Sequence, residues 1–153
     1  MFASSSGYAK WLSVMASVHG RYADCWDYAS RELGLEAISH RIGAAIERDC
    51  SQLALAQDQA PQLALSPRSL EHALGCAYVL EGSGLGARLL LRQASAENIS
   101  PTFYLTALEK LSRTRWPSFV DGLDGMPLRI DETAEAARGV FSFLLDRIGR
   151  RVS

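Results

Sequence analysis

The chain has 153 residues, of which 48% are hydrophobic and 22% are charged, a balance typical of one globular domain. It carries 16 Lys and Arg residues against 17 Asp and Glu residues, and this net charge of −1 creates no field that would attract nucleic acid. No apolar segment approaches the roughly 20 residues that span a bilayer, and the N-terminus lacks the pattern of a signal peptide. We therefore expect a single cytoplasmic domain over residues 1–153, with neither nucleic acid nor membrane as a partner.

The first third of the chain has the periodicity of amphipathic helices. Serines at positions 4–6 precede a helix from Tyr8 to His19, where a serine is a favoured N-cap. Gly20 is expected to separate this helix from a continuation over residues 21–32, which Gly34 ends. This region predicts two consecutive helices.

A further amphipathic helix is predicted from Leu35 to Leu55. A polar connector from Gln57 to Gln62 follows it. Ser66 and Pro67 then form a typical helix opening, with the serine as N-cap and the proline at the first helical position. The next helix is expected to run from this opening to Gln93.

The last third repeats the same pattern. Ser100-Pro101 precedes a helix over residues 102–113, followed by a short helical segment over 116–123 and a turn over 124–127. A final helix begins at Asp131, and its apolar positions form one stripe: Ala134, Ala137, Val140, Phe141, Leu144, Leu145 and Ile148. No strand pattern occurs, so the sequence predicts an all-α, single-domain fold.

Three glycines, Gly82, Gly84 and Gly86, interrupt the longest apolar helix. Each is unfavourable by about 0.5–1 kcal/mol relative to alanine in a helix, so their clustering needs a physical reason. Their spacing is too tight for a dinucleotide fingerprint, and no lysine follows as a phosphate-binding loop requires. Two interpretations remain open: a flat ligand lies against the backbone here, or two helices cross closely.

The segment from Ala73 to Ala87 resembles the distal helix of bacterial heme oxygenases, in which an aromatic-Val-Leu-Glu-Gly-Ser-x-Leu-Gly run lies over the heme. Looser similarity extends to residues 41–50, to Arg115-Trp-Pro-Ser-Phe, and to residues 132–147. The resemblance implies a heme oxygenase-like helical bundle with heme as its cofactor.

The resemblance also implies a set of ligand contacts. Gly82 and Gly86 would allow close approach of the heme, Ser83 would provide a polar contact, and Ala87 stands where many relatives have glycine. Tyr78 lies one helical turn before Gly82 and is a candidate for contact with the ligand edge. We take these five residues as the cofactor-binding set.

In heme oxygenases the iron is held by a histidine on a first helix, upstream of a helix that Tyr8-Ala-Lys-Trp11-Leu12 resembles. Residues 1–7 contain no histidine, so we expect this proximal helix and its iron ligand to be absent. His19 and His40 lie too late in the family order to replace it. His72 is expected to be partly exposed in the first helical turn, or else to lie at one end of the glycine surface.

No other metal ligand or catalytic residue is predicted. Cys25, Cys50 and Cys76 are odd in number and lack C-x-x-C spacing, which argues against zinc or a disulfide framework. Cys76 is most simply a small buried hydrophobic residue. The basic C-terminal residues complement the helix dipole or meet a heme propionate or an acidic partner: Arg147, Arg150 and Arg151.

Three functional hypotheses follow. The first is a heme oxygenase-family protein that binds heme or a related tetrapyrrole. Its cleavage of heme to biliverdin, CO and iron would require an electron donor and a substitute iron ligand. The second is a degenerate, non-catalytic module that binds a regulatory protein or forms a homodimer. The third is another enzyme class on the same fold, such as the thiaminase-like proteins, whose cysteine and carboxylate arrangement is not apparent here.

Overall fold

The computed structural model describes residues 4–53 and 64–152, with the side chains of 150–152 left out. The predicted connector from Gln57 to Gln62 lies outside this part of the chain. Five helices make up the described residues, which contain no strand: α1 (Ser5–Glu32), α2 (Ser39–Gln52), α3 (Leu70–Ala96), α4 (Phe103–Asp124) and α5 (Ile130–Val152). The all-α prediction is confirmed. None of these helices is both long and apolar enough to cross a membrane.

Helix α1 has a serine cap as predicted, but it begins at Ser5, three residues before Tyr8, and it is not divided. The Ser4 side chain accepts a hydrogen bond from the Gly7 amide at 3.1 Å, and Gly34, with a φ of +72°, follows the helix end. The expected break at Gly20 is wrong, because α1 continues through this residue and is 28 residues long in all. His19 and Tyr22 are buried on either side of this exposed glycine, so core packing holds both halves of the helix in line.

Helix α3 starts later than the sequence predicted. Ser69, not Ser66, is the N-cap, and its Oγ accepts a hydrogen bond from the His72 amide at 3.0 Å. The residues before it are extended beside α1, where the Leu65 amide donates to the Arg21 carbonyl oxygen at 2.8 Å. This backbone contact holds Leu65 against α1 and delays the start of α3.

Helix α4 is a single helix that contains Pro117, so the predicted separate segment over 116–123 is wrong. Arg115 and Phe119 are buried on either side of the proline and hold both halves of α4 against the core. Thr102 precedes the helix without a side-chain cap. The carboxylate of Asp49 on α2 caps it instead, accepting hydrogen bonds from the amides of Phe103 and Tyr104 at 2.8 and 3.0 Å.

Helix α3 lies at the centre of the bundle and contacts α1, α4 and α5. It meets α5 closely at Gly75, where an added Cβ would lie 2.2 Å from the Thr133 carbonyl oxygen. The apolar stripe predicted on α5 is only partly buried, since Val140 is enclosed but Phe141 and Leu145 are 51% and 66% exposed. The core thus uses one edge of that stripe and leaves the other edge uncovered.

Candidate functional site

One side of α3 is left uncovered by the other described helices. Tyr78, Leu85 and Leu89 are 45%, 57% and 59% exposed, which is unusual for large apolar side chains on a central helix. Gly82 and Gly86 lie on the same side because these positions are three, four or seven residues apart. We call these five residues the glycine face. Apolar surface of this kind marks a site of contact with a ligand or a partner.

The three clustered glycines have different surroundings. A Cβ at Gly84 would lie 2.6 Å from the Ser112 Cβ, so this glycine allows α3 and α4 to cross closely. A Cβ at Gly82 would be in ordinary contact with the Trp116 ring, at 3.6 Å. A Cβ at Gly86 would meet nothing within 4 Å. Helix crossing therefore accounts for Gly84 but gives no reason for Gly86.

Aromatic rings border the glycine face on the side of α4. The centroids of the Tyr78 and Trp116 rings are 5.6 Å apart, and the Trp116 ring stacks on Phe119 with a centroid separation of 6.2 Å. Phe119 is fully buried, so Trp116 is fixed from below by the core. A flat ligand on the face would meet this rigid aromatic edge.

Of the five residues predicted to bind the cofactor, Tyr78, Gly82 and Gly86 lie on the glycine face. Ala87 is 0% exposed within the core and is not available to a ligand on that face. Ser83 is half-buried at the border of the glycine face, because it is three residues from Gly86 and four from Ala87, and its Oγ donates to the Leu80 carbonyl oxygen at 2.5 Å. The structure thus brings three of the five predicted residues together and leaves Ser83 at the border and Ala87 in the core.

None of the three histidines in the sequence lies on the glycine face. His19 is buried between α1 and α4, its Nε2 lies 2.7 Å from the Tyr104 hydroxyl oxygen, and burial lowers its pKa to about 4. His40 is exposed on α2. His72 is only 6% exposed, which corrects both expectations for it, because it faces Cys25 of α1.

Behind the glycine face, Glu81 and Arg115 form a buried ion pair that the sequence did not indicate. Glu81 Oε1 also accepts a hydrogen bond from Trp26 Nε1 at 2.9 Å, and Arg115 donates to the Ser30 Oγ and to the Glu36 carbonyl oxygen. Every charged group here has a partner, so the network fixes α3 relative to α1 and α4.

A groove beside this network does not fit a large ligand. Its cavity volume is about 10 Å³, and it is lined by residues that include Trp26, Glu81 and Gly84. Ligand pockets for drug-sized molecules are usually about 300–1,000 Å³. A ligand the size of a tetrapyrrole does not fit this groove.

The basic residues near the C-terminus give limited support for an anion site. Arg147 Nη2 donates to the Ser17 Oγ at 2.8 Å, so Arg147 ties α5 to α1. The side chains of Arg150 and Arg151 are outside the described part of the structure. The propionate contact suggested for these arginines stays a prediction.

Comparison with known proteins gives one partial similarity. No protein-family model matches the chain. Over 88 residues the chain is 39% identical to a protein named Heme oxygenase PigA from Pseudomonas aeruginosa, a match covering 52% of this chain. The match spans 44% of the length of that relative. This similarity supports the resemblance to heme oxygenases that the glycine-rich helix indicated.

Proposed function

We propose that this protein is a member of the heme oxygenase family that binds heme or a related tetrapyrrole on its glycine face. The observation that carries the proposal is Gly86, which is exposed, has open space where a side chain would lie, and is surrounded by exposed apolar residues. A helix keeps such a glycine at a free-energy penalty, and close approach of a flat ring to its backbone supplies a reason. The similarity to a heme oxygenase agrees with that ring being a tetrapyrrole.

The residues of the face suit the ring of a tetrapyrrole. Gly82 and Gly86 let the ring approach the α3 backbone, because neither has a Cβ to hold it away. Leu85 and Leu89 would lose their exposed apolar surface on binding, which favours association. Tyr78 would contact one edge of the ring.

The glycine face has no histidine to bind the iron. A bound heme would contribute the iron that activates oxygen, but His19 and His72 are enclosed by other helices and His40 is on α2. The proposal therefore concerns binding. Oxidative cleavage to biliverdin, CO and iron, with an electron donor as partner, would need an iron ligand from outside this face.

A second candidate function is a non-catalytic interaction module. It is favoured by α5, where Phe141, Leu145 and Ile148 remain exposed at spacings of four and three residues. Such a stripe is typical of a helix that packs against another protein or a second copy of the same chain.

The test is an absorption titration of the full chain with hemin. We expect a sharp Soret band that saturates at one equivalent. The variant Gly86→Leu places a side chain in the open space and should weaken binding at least tenfold, about 1.4 kcal/mol. Gly139→Leu is the matched control, since Gly139 is also helical and also has nothing within 4 Å of an added Cβ.

A parallel titration with iron-free protoporphyrin, followed by its fluorescence, separates ring binding from iron ligation. The proposal requires Gly86→Leu to weaken the binding of both hemin and protoporphyrin. Gly139→Leu should weaken the binding of neither. A broad, unsaturable band that is the same in both variants would show adsorption only and would overturn the proposal. Sedimentation of the ligand-free chain as a dimer in that case would support the interaction module.

A further inference from the structure

Three metal-binding side chains meet inside the protein, away from the glycine face. Cys25 on α1 faces His72 and Cys76 on α3, and we call these residues the Cys-His cluster. The Cys25 Sγ lies 3.9 Å from His72 Nδ1, and the Cys76 Sγ lies 3.9 Å from His72 Nε2. One ligand atom from each residue lies within 4.8 Å of the other two. The cluster thus places one sulfur beside each nitrogen of a single imidazole ring.

These separations are close to those of a zinc site. Zn–S bonds of about 2.3 Å and Zn–N bonds of about 2.0–2.1 Å place neighbouring ligand atoms about 3.6 Å apart in a tetrahedral site. An ion binds one ring nitrogen, and for Nδ1 the separation from the Cys25 Sγ is 3.9 Å, about 0.3 Å longer than this, while the Cys76 Sγ lies 3.9 Å from the other ring nitrogen, Nε2. All three ligand atoms lie within 4.8 Å of one another, which is about 1 Å more than neighbouring ligand atoms in a tetrahedral zinc site. Rotation of the side chains can close this difference.

Burial and charge also favour a divalent cation. Cys25 and Cys76 are 0% and 1% exposed, so an ion between them would be shielded from water. Two thiolates and a neutral imidazole balance the charge of Zn²⁺, which leaves no unpaired charge in the interior. The hydrogen bond between the two thiols lowers the pKa of Cys25 and, together with burial, raises the pKa of Cys76, so an ion would have to displace the proton that the pair shares. Burial lowers the pKa of His72. A neutral imidazole is the form that binds metal.

Two neighbouring backbone groups contact the ligand atoms of the cluster. The Arg68 amide donates to His72 Nδ1 at 3.2 Å, a long hydrogen bond from the chain just before α3. An ion would replace this bond and take the Nδ1 lone pair. The Leu65 carbonyl oxygen accepts a hydrogen bond from the Cys25 thiol at 3.4 Å, so it is the nearest backbone oxygen that the structure shows at this sulfur.

We propose that the Cys-His cluster binds one zinc ion per chain, with Cys25, His72 and Cys76 as ligands and a fourth position open to water or the Leu65 carbonyl oxygen. The ion would join α1 to α3. His72 and Cys76 lie about one third of a turn around α3 from Gly82, so this site is separate from the glycine face and does not depend on the proposed function.

The test uses the full chain, reduced and freed of metal with a chelator, then titrated with Zn²⁺ against a chromophoric competitor. We expect one equivalent to bind, and Co²⁺ in its place to give the near-ultraviolet absorption of a thiolate-bound ion. Cys25→Ala and Cys76→Ala should each lower the affinity at least tenfold. Cys50→Ala is the matched control, because Cys50 is an equally buried cysteine on α2 outside the cluster and should leave binding unchanged.

X-ray absorption of the zinc-loaded wild-type chain keeps the proposal testable if a variant fails to fold. Two sulfur ligands and at least one nitrogen ligand are expected in the first coordination shell. The absence of stoichiometric binding by the reduced wild-type chain would overturn the proposal, as would a shell of nitrogen and oxygen alone. Equal loss of affinity in Cys50→Ala and Cys76→Ala would also overturn it, since the effect would then not be specific to the cluster.

Discussion

Glu81 on α3 and Arg115 on α4 are joined by an ion pair inside the protein, with 2.7 Å between Glu81 Oε1 and Arg115 Nη2. The side chains of both residues are less than a tenth exposed, at 3% and 8%. A buried ion pair is not in itself a large source of stability, because both charges lose their hydration. Removal of one partner is far more damaging, since the other charge is then left unpaired.

We expect Glu81→Gln to lower the free energy of unfolding by about 3–5 kcal/mol, because Arg115 would keep its charge without a counter-ion. Urea denaturation followed by circular dichroism measures this change. The double variant Glu81→Leu with Arg115→Met removes both charges and should be more stable than Glu81→Gln. Arg138→Gln is the control, because its ion pair with Glu135 is exposed and contributes about 0–1 kcal/mol. Equal effects of Glu81→Gln and Arg138→Gln would contradict this account.

His19 should make stability depend on pH. Burial lowers its pKa in the folded protein from 6.5 to about 4, and its Nδ1 has no hydrogen-bond partner among the described residues. Between these pH values the unfolded chain binds a proton that the folded chain does not. Stability from this residue is therefore present above pH 6.5 and is lost as the pH falls toward 4, by up to about 3 kcal/mol.

Denaturation of the wild type and of His19→Gln between pH 4 and pH 7 measures the effect, and the variant should have the flatter profile. His40 is exposed, so the profile of His40→Gln should match the wild type. If the wild type and His19→Gln lost stability in parallel, groups other than His19 would control the pH dependence.

Alanine substitutions should distinguish two glycines that lie only two residues apart. Gly84→Ala would place a Cβ 2.6 Å from the Ser112 Cβ and force α3 and α4 apart, with a loss of about 1–3 kcal/mol in unfolding free energy. Gly86→Ala meets open space and should raise stability by about 0.5–1 kcal/mol through helix propensity. Thermal unfolding of both variants gives the comparison. Destabilisation by Gly86→Ala would mean that this position is packed in solution.

Asp49 should be essential for the start of α4. Its carboxylate is 0% exposed and accepts hydrogen bonds from the amides of Phe103 and Tyr104 and from the Tyr8 hydroxyl at 2.9 Å. Asp49→Ala removes all three hydrogen bonds and takes the capping acceptor from the amides of Phe103 and Tyr104, so it should lower stability by about 3 kcal/mol or more. Tyr8→Phe removes only one hydrogen bond and should lower it by about 1 kcal/mol. Guanidinium denaturation of the two variants should give this order, and the reverse order would contradict the capping role.

Local sequence patterns predicted most of the helices but not all of their ends. The Ser4 cap and the Gly34 terminator depend on residues within one helical turn, and both were predictable. The continuity of α1 through Gly20 and of α4 through Pro117 depends on packing against other helices. A pattern read along one segment does not contain that information.

The site was predictable in part for the same reason. The periodicity of α3 placed Tyr78, Gly82 and Gly86 on one side, but burial of Ala87 depends on its neighbouring helices. The Cys-His cluster brings Cys25 together with residues 47 and 51 positions away, so no local spacing shows it. Its one local signal was the four-residue interval between His72 and Cys76, which puts both side chains on one side of a helix.

The contacts of Arg115 have a consequence for how the molecule opens. One guanidinium group is bonded to Ser30 at the end of α1, to the Glu36 carbonyl oxygen in the following loop, and to Glu81 in the middle of α3. Local unfolding of α4 around Arg115 would break all three attachments at once. Backbone amides near these residues should therefore exchange with deuterium through one shared opening, with a common free energy of opening, as a cooperative unit that includes parts of α1, α3 and α4.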